Sequence, residues 1–146
     1  MFGASYSGIN AYKRINLETG VVDADPLKLV IMLYDGAIEA CHKGLALMRS
    51  GDIAGKGETL SKAITIVESG LRQALDRETG GEIARNLDEL YGYISSRIYQ
   101  GHLQNRPEYI EEAAKLLSEL KSAWAAISER PAAMSQNLPQ PAFMKD

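Results

Sequence analysis

Glu39 and His42 are the residues of this sequence whose types and spacing best suit chemistry. A Glu-x-x-His pair puts both side chains on one helix face, as in di-iron carboxylate bundles. That site needs a second such pair and two further inward glutamates. His102, the other histidine, has Tyr99 where the glutamate would stand. We therefore expect no metal and no cofactor, and we interpret Glu39 and His42 as a partly exposed surface pair.

Phosphotransfer is a second chemistry that His42 could support. Phosphotransfer domains are helical bundles with one exposed histidine near a lysine and a glycine. Here Lys43 and Gly44 follow His42 directly, whereas that family usually has the pattern His-x-x-Lys-Gly. Half-buried packing beside an apolar stripe is the ordinary explanation for His42. A phosphotransfer or regulatory bundle that uses His42 is kept as the alternative function.

Cys41 is the only cysteine, which rules out an intrachain disulfide and suits a reducing compartment such as the cytoplasm. It is most simply a small buried apolar residue. The formal net charge of −3 gives no electrostatic reason to expect nucleic acid. The start of the chain does not resemble a signal peptide, and no apolar run approaches a membrane span. Because no catalytic constellation stands out, the sequence predicts a cytoplasmic protein that is not an enzyme.

Four helices would position these residues, because apolar side chains recur at steps of three and four in four segments. These segments cover about 26–49, 53–76, 82–101 and 106–129. Asp25 and Pro26 suit a helix start, and Pro131 a stop. Gly55 and Gly57 weaken the start of the second segment. Short connections favour sequential antiparallel neighbours, so the predicted fold is all-α, an antiparallel up-down four-helix bundle.

Two flanks lie outside the predicted bundle at 25–130. Residues 131–146 contain two prolines and no periodicity, which is typical of a disordered, flexible tail. Residues 1–24, the leader, carry more apolar side chains than a solvated segment requires. Fully burying one large apolar side chain is worth about 1.5–3 kcal/mol. We therefore expect an extended leader that is partly docked on the bundle.

The stretch LKLVIMLY, residues 27–34, is more apolar than one core stripe requires. A second row runs beside the stripe of the first helix, and a comparable row flanks that of the fourth. These rows could widen the core. Together with the leader, they favour a groove for a partner helix or extended peptide. The residues predicted for the groove or for leader docking are Tyr6, Ile9, Tyr12, Leu29, Val30, Leu33, Ala37, Ala40, Tyr91, Tyr109, Leu116 and Trp124.

Three motifs, in register, carry a resemblance to a known family. They are DPLKLVIMLYDG at 25–36 preceded by Tyr12, NLDELYGYI at 86–94, and EEAAKLL at 111–117 followed by Leu120 and Trp124. Over about residues 5 to 128 the sequence resembles the FliS family of flagellin-specific export chaperones. That family often has an Ala-Asn pair at the end of its third helix, where this sequence has Gly101 and His102.

The resemblance implies a small cytosolic bundle that binds the disordered C-terminal segment of flagellin in a 1:1 complex. Binding would prevent premature polymerisation and degradation of flagellin. The family also assists delivery of flagellin to the cytosolic domain of the flagellar type III export gate, and other flagellar assembly regulators are possible partners. Neither nucleic acid nor insertion into a membrane is implied.

Overall fold

The computed structural model describes residues 26–127, which form four packed helices. The helices are α1 (Pro26–Ser50), α2 (Ile53–Thr65), α3 (Gly81–Gln104) and α4 (Pro107–Ile127). Each helix packs against its neighbour in the chain, and α1 also packs against α4. The predicted four-helix bundle is confirmed. The leader at 1–24 and the tail at 131–146 fall within residues 1–25 and 128–146, which lie outside the described residues.

Short, specifically capped turns join the helices. Gly51 between α1 and α2 has φ of 82°, a left-handed conformation that glycine adopts without strain. The Oδ1 atom of Asp52 then accepts a hydrogen bond of 2.9 Å from the Gly55 N–H and caps α2. Asn105, with φ of 55°, ends α3 in the left-handed conformation. These turns fix which helix ends lie side by side.

α2 continues without interruption into a π-helical segment, Ile66–Arg72. The periodicity predicted one regular helix here and gave no sign of the wider turns. Gly70 in this segment lies against α1, because a Cβ atom at this position would be 3.2 Å from Leu33 Cδ1. Arg72 lies over Gly92 of α3 and donates a hydrogen bond of 2.9 Å to Asp88. The π-helical segment therefore brings α2 close to both α1 and α3.

Two tyrosines lie at the centre of the core, where α1, α3 and α4 meet. Tyr34 is 0% exposed and Tyr91 is 2% exposed, and their hydroxyl groups share a hydrogen bond. Burial raises the pKa of Tyr91 to about 12, although hydrogen bonds with Tyr34 and Trp124 oppose the shift. Tyr91 is therefore neutral at physiological pH, and its buried hydroxyl has a partner.

Candidate partner-binding surface

The second apolar row of α1 faces the interior of the bundle. Val30 is 1% exposed, Leu33 is 2% exposed and Ala37 is 0% exposed. Because α1 packs against α2, the π-helical segment and α4, it needs an apolar surface wider than one stripe. Small residues shorten these contacts: a Cβ atom on Gly44 would lie 2.3 Å from Leu60 Cδ2. The expected open second face of α1 is therefore core at these positions.

The other predicted contact residues are distributed between the core and its edge. Ala40, Tyr91 and Trp124 are buried, and Leu29 lies at the edge of the core at 9% exposed. Tyr109 and Leu116 on α4 are partly exposed. The remaining three predicted positions, Tyr6, Ile9 and Tyr12, lie outside the described residues.

The residues considered for catalysis do not form a constellation in the described part of the chain. Cys41 is 0% exposed, and burial raises the pKa of its thiol to about 12, so the nucleophilic thiolate is suppressed. Glu39 and His42 are both exposed, and His42 lines a surface pocket together with Arg49 and Lys115. Between residues 26 and 127 no three or more His, Cys, Asp or Glu side chains are grouped as metal ligands.

None of the four helices in the described region is both long enough and apolar enough to serve as a membrane span. Large apolar side chains nevertheless reach the surface. The most exposed are Ile53 at 76%, Leu103 at 61% and Tyr99 at 54%. Ile53 begins α2, and Tyr99 and Leu103 are one turn apart in the last turns of α3. We call these three residues the apolar patch.

A buried lysine holds together the two helix ends that carry the apolar patch. Lys56 is only 7% exposed. Its Nζ atom donates hydrogen bonds to the backbone carbonyl of His102 at 3.2 Å and to Oδ1 of Asn105 at 3.0 Å. Next to it, Gly57 lies close enough to α3 that a Cβ atom would be 3.4 Å from the His102 ring. The start of α2 is thereby fixed against the end of α3.

His102 adds no positive charge beside the patch near neutral pH. Burial, and secondly the nearby charge of Lys56, lower the pKa of His102 below its ordinary value. Its Nδ1 atom is buried and has no hydrogen-bond partner within residues 26–127. The exposed side chains on either side, Gln100 and Gln104, are uncharged. The exposed surface around Tyr99 and Leu103 is therefore largely uncharged, and the exposed charges Asp52 and Arg106 lie in the adjoining turns.

Sequence reasoning missed the apolar patch. Ile53 shares the spacing of the buried residues Leu60 and Val67, but as the first residue of α2 it is exposed. Tyr99 and Leu103 are spaced i, i+4 and lie off the stripe of Tyr91 and Ile98. That off-stripe pair is the signal in the sequence that could have indicated an exposed apolar surface.

Comparison with known proteins gives a consistent result. The family model described as "Flagellar protein FliS" matches residues 8–131. The chain is 46% identical over 124 residues to the flagellar secretion chaperone FliS of Salmonella typhimurium, covering 85% of this chain and 92% of the relative. It is 41% identical over 119 residues to FliS of Vibrio cholerae, covering 82% and 87%. It is 39% identical over 117 residues to the flagellar secretion chaperone FliSB of Pseudomonas aeruginosa, covering 80% and 92%.

Proposed function

The chain belongs to the FliS family of flagellar proteins, and from this premise we propose that it is a cytoplasmic export chaperone for flagellin. It binds the disordered C-terminal segment of flagellin in a 1:1 complex and prevents premature polymerisation. It then assists delivery to the cytosolic domain of the flagellar export gate. The relatives are named as secretion chaperones, which favours this function over phosphotransfer through His42. The structural observation that carries the proposal is the apolar patch.

The chemistry of the patch suits a guest segment that folds as it binds. Burial of apolar surface is non-directional, so it tolerates variation in the guest sequence. A disordered segment can form a helix on such a surface and offer its apolar face, at the cost of ordering its chain. Because Lys56 joins the two helix ends that carry the patch, the ordering on binding falls mainly on the guest. The expected signatures are a gain in helical circular dichroism and a negative heat-capacity change on binding.

The predicted contact residues enter this proposal in two ways. Tyr109 and Leu116, which are partly exposed, extend the guest contact along α4. The buried members belong to the core and are not assigned a contact with the guest: Val30, Leu33, Ala37, Ala40, Tyr91 and Trp124. Leu29, at the edge of the core, is assigned to leader docking.

The experiment removes the patch without disturbing the core. In the full-length chain, Ile53, Tyr99 and Leu103 are each changed to Ser, and binding of a labelled flagellin C-terminal peptide is measured by fluorescence anisotropy. We expect affinity to fall about tenfold or more, because exposed anchors of this size carry much of an interface energy. The matched control is Ile83→Ser, since Ile83 is 48% exposed at the opposite end of α3. Wild-type affinity in the triple variant would overturn the assignment of the patch.

We also propose that the leader competes with the guest for apolar surface through Tyr6, Ile9 and Tyr12. A guest that must displace a docked segment binds more weakly by the docking energy of that segment. Deleting residues 1–15 is therefore expected to strengthen binding of the flagellin peptide or to increase self-association, measured by light scattering. If neither property changes, the leader does not compete.

A further inference from the structure

On the α4 side of α3, away from the apolar patch, an arginine is held between aromatic rings. The Arg97 guanidinium carbon lies 3.7 Å from the centroid of the Tyr109 ring and 5.8 Å from that of Tyr93. Its Nε atom donates a hydrogen bond of 2.7 Å to Oε1 of Glu112. The Tyr93 hydroxyl donates one of 2.7 Å to the other oxygen of Glu112. We call these four residues the Arg97 cluster.

The outer nitrogens of Arg97 are available as donors. Within residues 26–127 the single hydrogen bond of this side chain uses Nε, and neither Nη atom has an acceptor. The side chain is 26% exposed, and Tyr93 beside it is 43% exposed. Stacking on the Tyr109 ring and the hydrogen bond to Glu112 already restrict the orientation of the guanidinium plane. A partner would therefore meet a pre-oriented set of N–H groups and would lose less rotamer freedom on binding than with a free arginine.

The charges around Arg97 indicate which acceptor would fit. Glu112 pairs with Arg97, and Glu108 pairs with Arg106 at 3.3 Å. The pKa of Glu108 is lowered, chiefly by a hydrogen bond from its own backbone N–H and to a smaller extent by Arg106 and Arg97, so this carboxyl is ionised at neutral pH. Two guanidinium groups thus face two carboxylates, and the site has little net charge. A further carboxylate would therefore gain little net attraction and would lose its hydration, whereas a neutral carbonyl oxygen costs less to desolvate.

We propose that the Arg97 cluster anchors the C-terminal end of a guest helix. The last four backbone carbonyls of a helix lack partners within it and carry partial negative charge. They are neutral acceptors that the Arg97 Nη donors can bind, while Tyr93 and Tyr109 contact the side chains of the same turn. This inference rests on the proposed function for the identity of the guest, the flagellin C-terminal segment. It adds a polar anchor on the opposite side of α3 from the apolar patch.

The test compares Arg97→Lys with Glu112→Gln in the full-length chain, using the flagellin C-terminal peptide. Lysine keeps the charge and loses the planar fork, so we expect affinity to fall roughly tenfold, as for a lost charge-assisted hydrogen bond. Glu112→Gln keeps a neutral acceptor for the Arg97 Nε but weakens the bond that orients the guanidinium, so we expect a smaller fall in affinity than for Arg97→Lys. If Arg97 served only to join α3 to α4, neither variant would change affinity. Arg85→Lys, at an exposed position of α3, is the control.

Further measurements distinguish a failure of this inference from a failure of the proposed function. Arg97→Gln is a second variant with the same expected direction, and thermal denaturation checks that each protein folds. Absence of binding by the wild-type chain would sink the proposed function itself. Wild-type binding that is unaffected by both Arg97 variants would sink only this inference. A steep loss of affinity with salt that disappears in Arg97→Gln would identify a carboxylate as the acceptor and overturn the assignment to helix carbonyls.

Discussion

The first turns of α1 and the apolar patch differ in solvent exposure, and the density of apolar residues in the sequence does not predict this difference. The stretch LKLVIMLY is densely apolar, yet its residues Leu27, Leu29, Val30, Leu33 and Tyr34 are all buried. The patch has three residues on two helices and is more than half exposed at each position. A high density of apolar residues on a helix indicates that the helix packs against several neighbouring elements. A surface for a partner is indicated by apolar residues that fall off the buried stripe.

Substitutions in the two regions should consequently affect different properties. Leu33→Ala in the full-length protein is expected to reduce the free energy of unfolding by about 2–5 kcal/mol, because it removes a core side chain packed on Gly70. Leu103→Ala should change it by no more than about 0.5 kcal/mol. Urea denaturation followed by circular dichroism measures both. Similar losses for the two variants would mean that Leu103 is structurally part of the core.

The four helices and their main stripes could be predicted from periodicity, since burial of one face imposes steps of three and four. The function of Lys56 could not be predicted from the sequence. Gly55 and Gly57 indicated a weak start for the second helix, whereas in the structure Asp52 caps this start and Lys56 joins it to the end of α3. A lysine between two glycines gives no sign that it will reach a carbonyl of another helix. Such contacts between helix ends depend on turn geometry, which local sequence patterns specify poorly.

The π-helical segment and the Arg97 cluster escaped prediction for a related reason. In the sequence, Arg97 and Glu112 are ordinary exposed charges on two different helices. Only the register of α3 against α4 brings them within 2.7 Å and places Tyr109 beneath the guanidinium. Periodicity gives the face of each helix but not its axial register, so sites that span two helices require the structure.

Substitution of Lys56, which lies between the core and the patch, should have a smaller effect on the unfolding free energy. Lys56→Met keeps a long side chain but leaves the His102 carbonyl and Asn105 Oδ1 without their donor. The expected cost is about 1.5–3 kcal/mol of unfolding free energy, measured by urea denaturation. The pKa of His102, followed by NMR, should rise because the charge of Lys56 is removed, although burial continues to lower it.

Lys62→Met is the matched control, because Lys62 is exposed on the same helix. It should leave both the stability and the pKa of His102 nearly unchanged. Equal stability of Lys56→Met and Lys62→Met would show that the clamp does not fix the start of α2. The patch would then lack the rigid frame that the proposed function assumes.

The smallest expected effect is the pH dependence of stability that comes from Cys41. This effect tests whether the buried face of α1 excludes water. Burial raises the thiol pKa from 9.0 to about 12, so the folded state favours the neutral form. Stability from this group is therefore fully present below pH 9 and is lost as pH rises from about 9 towards 12. The slope approaches about 1.4 kcal/mol per pH unit, because the unfolded chain loses a proton that the folded chain keeps.

The measurement is the difference in unfolding free energy between the wild-type chain and Cys41→Ala, taken at pH 8 and at pH 10. Alanine lacks the titrating group, so the difference should shift by roughly 1.4 kcal/mol in favour of the variant at the higher pH. Tyr91, which titrates above pH 10, is present in both proteins and cancels. A constant difference would mean that the Cys41 thiol ionises alike in both states. The interior of α1 would then be open to water, and the contrast with the apolar patch would fail.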